Sequence, residues 1–480
     1  MNDSMFVWNK DKTSKLYPFR KFMAGDAALI LQFIAAFVVI LFDAYIPGAL
    51  LFGVLFTVIL LLSDDLVSVF PTFMAALCFV IQAQNTYNKF IVFLPFIIVP
   101  VMAGVFHAIV YRNPYKTKMG VLFVPMLMIS VTNFLGGLGT ITASEYFSTT
   151  SLTYMFSLGF MIVIMYWAFS GHIGPGKNYT NHMDERIAKL MCAVTAFLIL
   201  AVLEQYTEHW SEFIAHPGIL YMQWRNNGCT LLMIAMPFTF FMALKKFPYI
   251  ILSFGSMIAM VLSGSRGGLI MGGIEFVILL ILYVLLDKDH RKIIGLVVLS
   301  FFLLVAVLLP KLITFMSYTA GRFTSASQYN VRIGLWKRSI LDFRTNPIFG
   351  RGLGYRGNRD IHPSKTATLC WYHSSLPQVW GSFGLLGIFT YGYQMKVRLQ
   401  FLNSKKSLFG RTVFLSFIGL ELMSLVNPGI FASVYLVIIT TLFIVLEQYP
   451  FPNMQITVTY TDPEIPVETE SNDGSKEMGS

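Results

Sequence analysis

Apolar residues dominate the chain from Ala27 to Leu446, in runs that are long and uniform. About 20 apolar residues in helical form cross a bilayer core. Only helices and closed barrels satisfy every backbone group in lipid. The runs lack the alternation of barrel strands, so they predict an all-α, polytopic transmembrane helical bundle. About 14 spans can be read at this spacing, or 12 if weak segments are lost in pairs. They fall near 26–44, 46–63, 66–84, 90–110, 120–141, 152–170, 188–206, 229–244, 248–263, 267–286, 292–315, 376–395, 411–426 and 429–446.

Composition agrees. The chain is 55% hydrophobic and only 12% charged, against about 25% charged for a typical soluble domain. Lys and Arg then orient the bundle, because short cytoplasmic loops collect them. The leader before the first span holds Lys10, Lys12, Lys15, Arg20 and Lys21. Arg112, Lys116 and Lys118 share one loop, and Lys177, Arg186 and Lys189 another. Lys245 and Lys246, then Lys288, Arg291 and Lys292, then Lys396, Arg398, Lys405, Lys406 and Arg411 complete the series. Intervening short loops hold little beyond Lys89, Arg225 and Arg266. The alternation predicts both termini in the cytoplasm. One short inner turn, with Asp64 and Asp65, breaks it.

The basic leader resembles that of a signal peptide, but no clear small-x-small cleavage site follows, so the first span is expected to be retained. Five segments result: a leader over 1–25, bundle over 26–315, a long extracytoplasmic loop over 316–375, the last spans over 376–446, and a tail over 447–480. The tail is rich in Pro, Thr and acidic residues and reads as disordered and cytoplasmic. Cys78, Cys192, Cys229 and Cys370 have no CxxC spacing, so neither a zinc site nor a disulfide framework is expected.

The long loop concentrates positive charge. Arg322, Arg332, Lys337, Arg338, Arg344, Arg351, Arg356, Arg359 and Lys365 face only Asp342 and Asp360. Such a field suits anionic headgroups or an anionic ligand such as a diphosphate. Val331, Leu335, Trp336, Ile340 and Phe343 recur near helical spacing, which predicts a short amphipathic helix on the membrane or capping the bundle. Asn346 to Gly354, with Pro347 and three glycines, predicts a tight turn. His362, Trp371, Tyr372 and His373 follow, just before the next span.

Other outward features carry candidate chemistry. Ser263-Gly264-Ser265-Arg266-Gly267-Gly268 sets a charge between two apolar segments. An arginine there either snorkels to the interface or serves a ligand, for which small neighbours leave backbone approach and free N–H groups. Arg225, in Trp224-Arg225-Asn226-Asn227, is either an interface anchor or a second phosphate clamp. Glu204, Glu208 and Glu212 recur at i, i+4, i+8 with His209 and His216 between them. That pattern fits a solvated helix end or, less often, a metal site. His107 and Glu275 sit in or near spans without informative neighbours. No GxxxxGK[ST] loop is present, which argues against a nucleotide-driven pump.

Taken in order, these motifs resemble the O-antigen ligase/polymerase superfamily. The resemblance rests on Ser263–Gly268, on Arg332 and Trp336 leading to Asn346-Pro347-Ile348-Phe349-Gly350-Arg351-Gly352-Leu353-Gly354, and on His373, Gln378 and Gly384-Leu385-Leu386-Gly387. Arg225-Asn226-Asn227 before a span containing Pro237 also fits. Family members often have asparagine after the loop histidine, where this chain has Ser374. The resemblance implies a saccharide on a polyprenyl diphosphate at the outer leaflet of the cytoplasmic membrane, transferred to a sugar hydroxyl of a glycan or glycolipid acceptor. Lipid is the other expected partner, with other polysaccharide-assembly membrane proteins as further candidates and no nucleic acid.

That reaction builds charge on a departing diphosphate. Preorganised cations aimed at it should give the largest acceleration, and the arginine fork matches phosphate oxygens. Arg225 and Arg266 are therefore the expected clamps, with Arg332, Arg338, Arg351 and Ser265 as further binding candidates. A histidine suits the acceptor's proton: His373 first, His362 second. His373 could instead be an aromatic-packed interface residue. Neither a cofactor nor a metal is expected, since the diphosphate linkage carries the energy. Rival readings are a transporter of lipid-linked saccharides or small anions, and a scaffold signalling through its acidic tail.

Overall fold

The computed structural model describes residues 14–83, 98–111, 120–175, 177–180, 182–215, 220, 222–299, 326–357, 360–361, 372–427 and 429–452. Its helices are α1 (Tyr17–Met23), α2 (Asp26–Leu41), α3 (Tyr45–Leu62), α4 (Phe70–Val80), α5 (Ile98–Val110) and α6 (Phe123–Leu135). Next come α7 (Ser151–Ser170), α8 (Met183–Glu208), α9 (Arg225–Lys245), α10 (Ile250–Leu262) and α11 (Arg266–Leu286). α12 (Ala326–Thr345), α13 (Ser375–Ser404), α14 (Leu408–Ser424) and α15 (Ser433–Gln448) complete the series.

The protein is thus an all-α, multi-helix membrane bundle. Among the described residues five helices are long and apolar enough to cross a membrane, or six if the bent α1–α2 pair is one span. Shorter apolar helices include Leu66–Val80, Phe123–Leu135, Phe247–Leu262 and Ser433–Gln448. Most helix ends lie within a few residues of the predicted spans, because long apolar runs specify helix in lipid whatever their neighbours. Most of the span expected at 292–315, the start of that at 90–110, and nearly all of the tail lie outside the described residues.

α9 is the central post. Every residue from Gly228 to Ala243 is buried, as befits a helix apolar all round. Small polar groups pin it. Thr239 Oγ1 meets Ser253 Oγ at 2.8 Å. Ser416 Oγ of α14 donates to the Ile234 carbonyl at 2.7 Å, close to the break that Pro237 makes in the backbone ladder. By contrast α2, α3, α5 and α11 present Ile34, Val54, Ile98 and Ile281 outward, each more than half exposed. Together they form an apolar belt far larger than water tolerates on a monomer, which suits lipid.

The turn that broke the charge alternation proves to be an anchor. Asp65 is fully buried and accepts from Asn178 Nδ2 at 2.6 Å and Arg186 Nη1 at 3.2 Å. Tyr449 OH reaches the same Asn178 at 2.6 Å. The acid therefore neutralises a basic loop from within the fold. Lys245, at the foot of α9, pairs with Asp184 and Glu185 at 3.0 Å each, so that foot and the start of α8 share one end of the bundle. Arg225 and Arg266, which open α9 and α11, lie at the other.

α12 departs from its expected face. Its buried stripe is Leu335, Ser339 and Asp342, whereas Trp336 and Ile340 stay about half exposed. The helix caps the bundle with a largely polar edge: Trp380 Nε1 donates to Ser339 Oγ at 2.9 Å.

Candidate functional site

Two helix starts meet at the site end. α11 begins at Arg266, capped by Ser265, whose Oγ accepts from Gly268 N at 3.0 Å. α9 begins at Arg225, after Trp224. Ser265 Oγ also donates to Asn226 Oδ1 at 2.9 Å, and Cys229 Sγ lies 3.2 Å from Ser263 Oγ. The glycines permit this approach, because a Cβ on Gly268 would collide with the Cys229 side chain. Helix N-termini carry partial positive charge and favour anions. An arginine placed first on each adds its charge to that positive end. Arg332 of α12 joins the pair. It is exposed by area, yet enough protein surrounds it that desolvation lowers its pKa, and the charge of Arg266 lowers it further. It stays cationic. Arg225 Nη1 donates to the Met222 carbonyl at 2.8 Å, which holds the side chain against its own turn.

The second cluster centres on α13. At Gly384 the backbone leaves helical geometry (φ 61°, ψ −147°). The turn predicted at Asn346–Gly354 docks into that kink. Arg351 N and Gly352 N donate to the Gly381 and Ser382 carbonyls at 2.9 and 2.8 Å, and Leu385 N and Leu386 N donate to those of Pro347 and Ile348 at 2.7 and 3.1 Å. On its other side Gly137 N donates to the Phe349 carbonyl at 2.9 Å, and Asn346 Nδ2 to that of Leu138 at 2.8 Å. The expected tight turn is thus also a three-way junction between α6, α12 and α13.

His373 stands just before α13. Its φ is +55°, and Asp43 is the other non-glycine residue with positive φ among those described. Such backbone costs an L-residue about 1–2 kcal/mol and points to a constrained position. Tyr372, its neighbour, is fully buried. The Tyr372 OH donates to Asp342 Oδ2 at 2.8 Å, and its N–H to Gln378 Oε1 at 3.1 Å. Burial pushes the Asp342 carboxyl above the usual carboxylate range, opposed by Tyr372 and by Arg351, whose Nε lies 3.5 Å away.

The sequence candidates therefore divide. Ser265 joins the helix starts headed by Arg225 and Arg266, and Arg332 lies within reach of the Arg266 charge. Arg338 and Arg351 serve the loop itself: Arg338 donates to the Gly357 carbonyl at 2.6 Å and to Asp360 at 2.7 Å, and Arg351 lies over the Tyr355 ring at 4.9 Å. His362 lies outside the described residues. Of the glutamate run, Glu204 and Glu208 share the Gln205 amide at 3.1 and 3.0 Å, and among the described residues no group of three His, Cys, Asp or Glu converges on a metal position. Glu275 is buried against Gly419, with neither oxygen hydrogen-bonded among the described residues. Asn226 and Asp342 were not among the predicted site residues; Asn226 appeared only within the Arg225-Asn226-Asn227 motif and Asp342 only as an acid in a basic loop.

Residues 248–392 match the family model for O-antigen ligase. Over this segment, about a third of its length, the chain is similar to the O-antigen ligase family. The matched segment runs from α10 through the Arg266 helix start, α12 and the docked turn to the Gly384 kink. Arg225 lies outside it. The match supports a membrane function of the O-antigen ligase or polymerase type. No curated protein and no solved structure matches the chain.

Proposed function

We propose that the protein moves a saccharide from a polyprenyl diphosphate carrier to a sugar hydroxyl, at the outer face of the cytoplasmic membrane, in surface polysaccharide assembly. The observation that carries this reading is the joining of two arginine-headed helix starts by Ser265 and Asn226, with Arg332 close enough to feel Arg266. Two helix ends and three guanidinium groups suit a diphosphate, whose charge rises as the sugar leaves. Arg225, Arg266 and Arg332 bind it; Ser265 and Asn226 hold the two starts in register. His373 accepts the proton of the attacking hydroxyl. The leaving diphosphate supplies the driving force, so no nucleotide is consumed.

Purified protein in lipid nanodiscs, given polyprenyl-diphosphate saccharide and a glycan acceptor, is expected to form covalent product without ATP. His373→Ala should slow it about 10²- to 10⁴-fold, the usual share of a general base. Movement of the lipid-linked saccharide without product would favour a transporter, and undiminished turnover in His373→Ala would remove the base assignment.

The facing is tested separately. Gly354 makes a poor labelling position, since an added Cβ would lie 2.6 Å from Ser151 Oγ. Lys337 is exposed on α12, and Cys78, Cys192 and Cys229 are buried. In a Cys370→Ser background, Lys337→Cys should react with an impermeant maleimide on intact cells. Reaction only after permeabilisation would reverse the topology, and with it the cytoplasmic placement of both termini.

A further inference from the structure

His373 is suspended between two fixed points. Behind it, Ser374 and Ser375 are buried at the start of α13. Ahead of it, Tyr372 is held three ways. Its hydroxyl is on Asp342 at 2.8 Å and its N–H on Gln378 at 3.1 Å. Its ring lies so close to Gly381 that an added Cβ there would sit 2.7 Å from ring carbons. The holders are themselves held. Gln378 Nε2 donates to Ser382 Oγ at 2.9 Å. Asp342 is 1% exposed and has Arg351 at 3.5 Å. One turn earlier on α12, Ser339 accepts from Trp380 at 2.9 Å. A left-handed histidine persists where its surroundings over-determine it, and here they do so through Tyr372.

We propose that Asp342 and Tyr372 are a positioning pair that holds His373 in its left-handed conformation, so that the imidazole is set for the acceptor hydroxyl. This rests on the reading of His373 as the base. The pair acts through the backbone: Asp342 fixes the Tyr372 ring, and the ring fixes the adjoining peptide. The same α12 carries Arg332 about 15 Å nearer its start. One helix thus ties the base to the phosphate-binding arginines, and the docked turn fixes that helix against α13.

Tyr372→Phe tests this, because it removes one oxygen and leaves the ring packed on Gly381. It should lower kcat about 10- to 100-fold, the scale set by a misplacement of about 1 Å, while KM for the lipid-linked donor stays within about twofold and the melting temperature is little changed. Asp342→Asn is the second variant, and it should show the same split. Loss through His373 also predicts that Tyr372→Phe costs nothing more in a His373→Ala background. Full kcat in Tyr372→Phe and Asp342→Asn would overturn the proposal, as would an equal loss with and without His373. A rise in KM with kcat unchanged would overturn it too, by making the pair part of donor binding. If His373→Ala itself keeps full activity, the base assignment fails first, and the two failures are told apart.

Discussion

Arg266→Ala is expected to reduce glycan transfer about 10²- to 10³-fold, the range seen when one preorganised charge-stabilising donor is removed. Arg266 is the first residue of α11, so its charge adds to the positive end of the helix rather than opposing it. Arg332 feels that charge, and an entering anion is attracted by the helix end and by both guanidinium groups. The helix start itself does not depend on the side chain, because Ser265 caps Gly268 and reaches Asn226. The variant should therefore insert and fold as the parent does. Arg266→Lys keeps the charge without the planar fork and should recover only part of the loss. Polysaccharide from cells carrying each variant, compared on a gel with purified-enzyme rates, checks both. Normal chains from Arg266→Ala would remove the arginine from the diphosphate site.

Gly350→Ala should cost the fold more than any other single methyl in the docked turn. Gly350 has φ +63°, and its Cβ would fall on the backbone of Ser382 and Phe383, which cannot yield as a side chain can. Left-handed strain of about 1–2 kcal/mol then adds to an overpacking cost of about 1–3 kcal/mol. Gly139 provides the control. Its φ is also positive, at +85°, but nothing lies within 4 Å of an added Cβ. Gly139→Ala should thus show the backbone strain alone. Thermal unfolding in detergent should rank Gly350→Ala well below Gly139→Ala, which in turn falls slightly below the parent. Equal stability of the two variants would mean that the turn is not seated in the α13 kink.

The helices were legible in the chain because apolarity over about 20 residues is a local property; Arg225 and Arg266 were legible as charges in the short breaks before two spans, and the structure makes each the first residue of its helix. The turn at Asn346–Gly354 was equally local, since Pro347 and the glycines dictate it wherever it lands. The face of α12 was not. Hydrophobic spacing pointed to Val331, Leu335, Trp336, Ile340 and Phe343; Leu335 is buried, but the rest of the buried edge is Ser339 and Asp342, whose partners are Trp380 of α13 and Tyr372 just before it. The pattern counts apolar residues and cannot register a polar side chain that finds its acceptor only after two helices pack. The role of Asp65 was hidden for the same reason, its partner Arg186 lying more than a hundred residues away.

The sequence alone determined a helical membrane protein, with a basic segment between apolar runs and arginines in two short breaks, because composition, period and glycine placement act within a few residues. Only the tertiary structure decided which charges lie near one another. Arg225 and Arg266 meet through the Ser265–Asn226 bond, 39 positions apart. Arg338 and Arg351 are turned to their own loop by Asp360 and Asp342. Among equivalent cations, distance and desolvation make the difference, and both exist only once the helices have packed.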